Sequence, residues 1–131
     1  GNSGVTTVIE GCDSNGCEYM AGGMVVFLGE VGYNFAAGMT GGMAFVYDKS
    51  QQFTKKVNPE SVVWQTVETD YWKEILKNLI SEHSKETGSE FSRNIIKNYE
   101  EELINFVQVC PKEMLDKLDN PITLKGIKKV S

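Results

Sequence analysis

Hydrophobic and polar positions repeat through the first 48 residues. Shifting the segment by 19 lays GVTTVI (4–9) over GMVVFL (23–28) and GMAFVY (42–47). The same shift sets Met20 over Met39, Asn15 over Asn34, and Ser3 over Gly22 and Gly41. A repeat of this length is a structural unit stacked on its neighbours. Met24–Leu28 and Met43–Tyr47 are apolar at nearly every position, the pattern of parallel strands covered on both faces. Each repeat adds a second short extended piece, EYM or AGM, and corners rich in Gly and Asn. This predicts right-handed parallel β-helix coils over residues 1–48, successive turns lying about 4.8 Å apart. Val8, Phe27 and Val46 would then share one column, and Thr7, Val26 and Phe45 the next. Asn15 over Asn34 would form an amide ladder at a corner, where asparagine tolerates left-handed backbone.

After Asp48 the pattern changes. A polar stretch, KSQQFTKKVNPESVVWQTVE, holds one extended piece near Ser61–Gln65. Trp72, Ile75, Leu76, Leu79, Ile80 and His83 then follow helical spacing, predicting a helix over about residues 69–84 with one apolar stripe. The string TGSE at 87–90 has the form of a capping box, with Thr87 as the cap and Glu90 reaching back. It would open a second helix to about residue 103, with Phe91, Ile95, Tyr99 and Leu103 on one side. FVQV reads as a short strand and Pro111 as the first residue of a helical turn. The tail over 119–131 reads as loosely held. The fold expected is mainly β with C-terminal helices. Coils fill 1–48, and an extended linker and helical tail over 49–131 pack on them, one domain in all. The stripe from Trp72 to Ile80 is expected to cover the outer face of the coils.

Composition narrows the function. A chain of 131 residues buries roughly two thirds of its unfolded surface without needing disulfides. Thirteen basic and eighteen acidic residues give a net charge of −5, and no basic stripe suits a phosphate backbone, so nucleic acid is not an expected partner. No apolar run approaches the roughly 18 residues of a membrane span, and GNSGVTT has no signal-peptide pattern. The chain therefore reads as cytoplasmic. It begins at Gly1 and runs almost at once into strand-like sequence, the expectation for a fragment of something longer. Cys12, Cys17 and Cys110 are an odd set with C-x4-C spacing and no second pair. Reduced thiols fit them better than a metal or iron–sulfur site.

Three features invite a catalytic reading, and each has a plainer one. Gly29, Gly32, Gly38, Gly41 and Gly42 lack the following Lys-Ser/Thr of a phosphate loop and lead into a strand, not the helix of a dinucleotide fingerprint. Corners of a repeat explain them. Histidine is a residue type suited to base catalysis, yet His83 ends an apolar stripe and reads as a partly buried helix-end histidine. Glu100, Glu101 and Glu102, after Tyr99, point in different directions on a helix, as a solvated face does. No catalytic, cofactor-binding or metal-binding residue is expected.

Two passages carry a family resemblance. GCEYMAGGMVVFLGEVGYNFAAGMTGGMAFVYD (16–48) resembles the final coils of the Gly-x-Gly-x-Gly domain that closes the large subunit of bacterial-type glutamate synthase. HSKETGSEFSRNIIKNYEEELINFVQVCPKEM (83–114) resembles the tail after that domain, where a histidine, a TGS and an FVxVxP recur. The family has earlier coils, Cys110 stands where its pattern leads one to expect methionine, and ITLKGIKKVS has no match to it. The resemblance implies a scaffold within an enzyme that makes two glutamates from glutamine and 2-oxoglutarate. Its FMN and iron–sulfur cluster would lie in other domains, and its electrons would come from NADPH, NADH or ferredoxin. Implied partners are the other domains of the large subunit, with self-association through an open edge at Val5–Ile9. The alternatives are an interaction subunit similar to the Gly-x-Gly-x-Gly subunit of formylmethanofuran dehydrogenase, which shares the coils but gives no reason for this tail, and a hexapeptide-repeat β-helix acyltransferase. The last needs a six-residue period, whereas the period here is about 19.

Overall fold

The computed structural model describes residues 5–11 and 20–124. Strands β1 (Thr6–Ile9), β2 (Ala21–Phe27) and β3 (Gly41–Tyr47) come first. A short helix α1 (Phe53–Lys56) and strand β4 (Val62–Thr66) follow. Then come helices α2 (Asp70–Thr87), α3 (Glu90–Lys97) and α4 (Tyr99–Glu102), and last strand β5 (Phe106–Pro111). All five strands form one sheet in the order β1-β2-β3-β5-β4. The first three are parallel, whereas β5 runs antiparallel to both β3 and β4.

The repeat does set strand neighbours. Met24 lies opposite Met43 and Val26 opposite Phe45, a shift of 19, while Val8 lies opposite Val26, a shift of 18. The expected columns therefore hold between β2 and β3 and are one residue out at β1. Gly23 and Gly42, also 19 apart, share a φ of 83°, a left-handed backbone that side chains resist. A Cβ on Gly23 would lie 2.4 Å from the Val5 carbonyl oxygen, and one on Gly42 2.8 Å from that of Gly23. These glycines let one strand start lie directly on the last.

The expected β-helix is not the fold. The protein is a small mixed α/β domain with an open five-stranded mixed sheet. Coils require each repeat to contribute strands to more than one sheet. Here the segment between β2 and β3 turns tightly instead: Ala37 N–H donates to the Asn34 carbonyl and Met39 N–H to that of Ala36. Asn34 and Ala36 have φ values of 65° and 68°. Among the described residues, Phe35 bridges forward to Val57. On its far side β3 meets β5, so the parallel stack ends there. A 19-residue period fixes which residues neighbour each other across strands and leaves the return path open. The expected Asn15–Asn34 ladder involves a residue outside those described, and Asn34 accepts a hydrogen bond from Asn58 Nδ2 at 2.7 Å.

Both sheet faces are covered, by different means. On one, Trp72, Leu76 and Ile80 of α2 pack with Val26, Met43, Phe45 and Phe106. On the other, Phe35, Ala36 and Met39 from the β2–β3 connection and Phe53 of α1 pack with Phe27, Ala44, Val46 and Val109. Phe35 meets Phe27 and Phe53 edge-on at 5.3 and 5.6 Å, a favoured ring geometry. Helix α2 starts at Thr69, whose side chain accepts from Trp72 N–H, and closes at Gly88. The TGSE string is divided between two helix ends. Thr87 is the last residue of α2, its hydroxyl donating to the His83 carbonyl. Ser89 is the cap of α3, accepting from Ser92 N–H at 3.1 Å. The expected second helix ends at Lys97 and resumes as α4 after Asn98.

Leu76 is fully buried between α2 and the sheet. Leu76→Ala is expected to cost about 2–5 kcal/mol, the range for a buried leucine that leaves a cavity. Urea unfolding followed by circular dichroism measures it, and a loss below about 0.5 kcal/mol, the scale of an ordinary surface change, would mean that α2 is not held against this sheet.

Candidate functional site

Two of the three cysteines, Cys12 and Cys17, lie outside the described residues. Cys110 is completely buried, and burial pushes its thiol up to about 11. A thiol so poorly ionised does not suit an iron ligand, which must be a thiolate. Gly29 and Gly41 leave no room for a phosphate either. A Cβ on Gly29 would meet the Glu10 carbonyl oxygen at 2.3 Å, and one on Gly41 that of Ala21 at 2.1 Å. Neighbouring backbone already fills the space a ligand would take. A cluster does not fit Cys110, nor a flavin phosphate Gly29 and Gly41. No described helix is long and apolar enough to cross a membrane.

The acidic run divides by direction, with Glu100 and Glu101 exposed and Glu102 turned inward. Glu102 accepts from the Tyr47 hydroxyl at 2.6 Å and from Asn105 Nδ2 at 3.0 Å. Burial alone would raise its carboxyl pKa, but these two bonds and the charge of Lys49 leave it lowered. Tyr47 moves the other way: burial, then the bond to Glu102 and its charge, raise the phenol. The Tyr99 phenol is also raised, by burial and the charges of Glu100 and Glu74, and its hydroxyl donates to the Lys73 carbonyl. The first pair ties β3 to α4, the second α4 to α2.

His83 has a partner that sequence spacing does not reveal. Its Nε2 donates to Glu10 Oε2 at 2.6 Å, across 73 residues of chain. Ser89 lies close enough to the Glu10 side chain to lower its carboxyl. Burial alone would raise the Glu10 carboxyl, but the nearby Ser89 hydroxyl and the bond to His83 hold it below the usual value. Serine, histidine and glutamate thus meet, but in the wrong order for nucleophilic catalysis. A hydrolytic triad puts the imidazole between hydroxyl and carboxylate so that it can take the hydroxyl proton. Here the carboxylate is in the middle. The cluster fastens the end of β1 to the end of α2 and the start of α3. No periodicity could expose it, because Glu10 follows a strand and His83 closes a helical stripe.

Beside this cluster a cleft of about 410 Å³ runs between β1 and α2, lined by Thr6, Thr7, Val8, Leu79, Glu82, His83 and Glu86. Val8 and Leu79 give it an apolar floor, while Glu82 and Glu86, one helical turn apart, stand at its rim.

The lowered carboxyls set an acid limit on stability. A group whose pKa is lower folded than unfolded stabilises the fold above its unfolded value, and that contribution is lost as pH falls through the folded value. Glu10 and Glu102 are both of this kind. The unfolding temperature is expected to fall between about pH 5 and pH 3, and Glu10→Gln should flatten part of that fall. Thermal melts at a series of pH values decide it; an unchanged acid limb in the variant would mean that the Glu10 cluster contributes nothing.

Comparison with known proteins gives a consistent result. A family model described as the GXGXG motif matches residues 1–112. The glutamate synthase [NADPH] large chain of Azospirillum brasilense is 53% identical over 123 residues, covering 94% of this chain and 8% of its own length. The glutamate synthase [NADH] of Schizosaccharomyces pombe is 45% identical over 112 residues, 86% of this chain and 5% of its own length. The chloroplastic ferredoxin-dependent glutamate synthase of Spinacia oleracea is 44% identical over 110 residues, 84% of this chain and 7% of its own length. The chain thus spans 5–8% of the length of these curated relatives. It belongs to the GXGXG motif family, as a domain of the glutamate synthase large-chain type.

Proposed function

We propose that this chain is a non-catalytic scaffold domain of a glutamate synthase, bracing other domains of the large chain. The parent enzyme would convert glutamine and 2-oxoglutarate to two glutamates with an external reductant, its FMN and iron–sulfur cluster lying in those other domains. One observation supports the scaffold role above all. The titratable side chains with shifted pKa values and polar contacts are used as ties between elements. Glu10 holds His83, and Glu102 holds Tyr47 and Asn105. Catalytic groups need a free valence facing substrate, and these have spent theirs on the fold. The relatives' names supply the parent activity, and the buried Cys110 thiol and filled glycine corners support placing the cofactors elsewhere.

Two measurements test the reading. The purified chain is expected to show no glutamine hydrolysis and no flavin absorbance, and measurable turnover or a stoichiometric yellow chromophore would overturn it. In the whole synthase that carries this domain, Leu76→Ala should hasten thermal inactivation while leaving kcat at low temperature unchanged. A fall in kcat without any loss of thermal stability would instead place the domain in the chemistry.

A further inference from the structure

Beyond the 3-10 turn at Lys112–Met114, residues 118–124 lie as a strap on the α2 side of the sheet, outside every described strand and helix. Side chains of the domain hold its backbone. Trp72 Nε1 donates to the Asn120 carbonyl at 3.0 Å, Gln65 Nε2 donates to the Ile122 carbonyl at 2.5 Å, and Glu68 Oε1 accepts from Leu124 N–H at 3.2 Å. Ile122 is the strap's one fully buried residue, in the same core as Val67, Trp72, Phe106 and Cys110. Asp119, Pro121 and Leu124 are exposed. A segment anchored by one buried side chain opens at lower free energy than the sheet beneath it.

One of those ties sits beside an unmet demand. Gln65 of β4 and Gln108 of β5 stand directly opposite one another, so their side chains share a face and start about 5 Å apart at Cβ. Gln108 is wholly buried and its Oε1 has no hydrogen-bond partner among the described residues. While Gln65 Nε2 reaches the Ile122 carbonyl, it does not serve the Gln108 carbonyl as well. We propose that residues 118–124 are a latch that opens without unfolding the sheet, and that Gln65 drives it by exchanging partners, leaving the Ile122 carbonyl for the Gln108 side-chain carbonyl. Closed, the latch buries Ile122 and leaves one acceptor orphaned. Open, it gives up the Ile122 seat and the Trp72 and Gln65 bonds, and the orphaned acceptor is paired. The orphan thus biases the latch towards opening, because an unpaired buried acceptor is costly in the closed state alone. This device uses only the chain's own residues and does not depend on the parent reaction.

Hydrogen exchange on the full, isotopically labelled chain tests the latch. The probes are the Trp72 indole N–H and the Leu124 amide, which the closed strap protects, read against the amides of Phe45 and Val109 in the sheet. In the unmodified chain the two strap probes are expected to exchange together, well before the sheet amides, by an opening that low denaturant does not promote. Gln108→Met keeps an unbranched side chain of similar size and removes the orphaned carbonyl. It should slow both strap probes by about tenfold, the scale of one unpaired buried acceptor. In a Gln65→Met background the same change should leave the strap probes unmoved, since the exchanging amide is gone. Three outcomes would overturn the proposal: strap probes that exchange only with the sheet amides, by global unfolding; a Gln108→Met variant that slows the sheet amides but not the strap probes; or equal slowing by Gln108→Met with and without Gln65. The last would mean that solvent, not Gln65, reaches Gln108 when the strap lifts.

Discussion

Everything in this domain is arranged around β3, whose two edges are paired in opposite senses. On one side it continues the parallel stack begun by β1 and β2. On the other it takes β5 antiparallel, with Ala44 opposite Val109 and Val46 opposite Val107. Its side chains are buried on both faces, Phe45 towards α2 and Val46 towards Phe53. Paired on both edges over Ala44–Val46 and buried on both faces, it joins the repeat-derived half of the chain to the helical half. The β3–β5 pairing is the constraint on which the rest depends. It stops the stack from growing, brings β4 in beyond β5, and sets the three-helix segment across one face.

That constraint also explains where the polar side chains go. Once β3 and β5 fix the sheet, α2 to α4 must be held over it, and the ties are few and specific. Tyr47 reaches Glu102, Tyr99 reaches the Lys73 carbonyl, Trp72 Nε1 reaches the Asn120 carbonyl, and His83 reaches Glu10. Each joins residues far apart in sequence, and each uses a group that could otherwise act in chemistry. Gln108 shows the cost of so dense a centre. It is wholly buried on β5, donates weakly to Met43 Sδ at 3.4 Å, and leaves its own carbonyl oxygen without a partner. An apolar residue there would avoid that penalty.

What the sequence made legible was local and periodic. The stripe from Trp72 to Ile80 gave α2 and its buried face, and the 19-residue shift paired Met24 with Met43 correctly. The family resemblance rested on the repeat and on the FVQVCP tail, and the comparisons bear it out. The fold class was not legible. Nothing in Gly29–Thr40 distinguishes a second β-helix sheet from the tight turns at Asn34 and Ala36, since both use the same small and polar residues. The destination of FVQV was equally hidden, because a four-residue apolar run does not announce its partner strand. At TGSE, a threonine and a serine two residues apart both satisfy a capping pattern, and only the left-handed Gly88 between them decides that Ser89 is the cap. The Glu10–His83 cluster depends on that tertiary arrangement, so no local signal marks it.

Native-state hydrogen exchange tests the central role of β3 most directly. If β3 and its pairing with β5 hold the domain together, the amides of Ala44–Tyr47 and of Phe106–Val109 are the slowest in the chain. They should exchange together, with the free energy of global unfolding, as members of one cooperative unit do. If the β5 amides exchange at much lower free energy than those of β3, while β1 to β3 remain protected as a set, the β3–β5 pairing is not the keystone. The parallel strands would then stand as a separate unit.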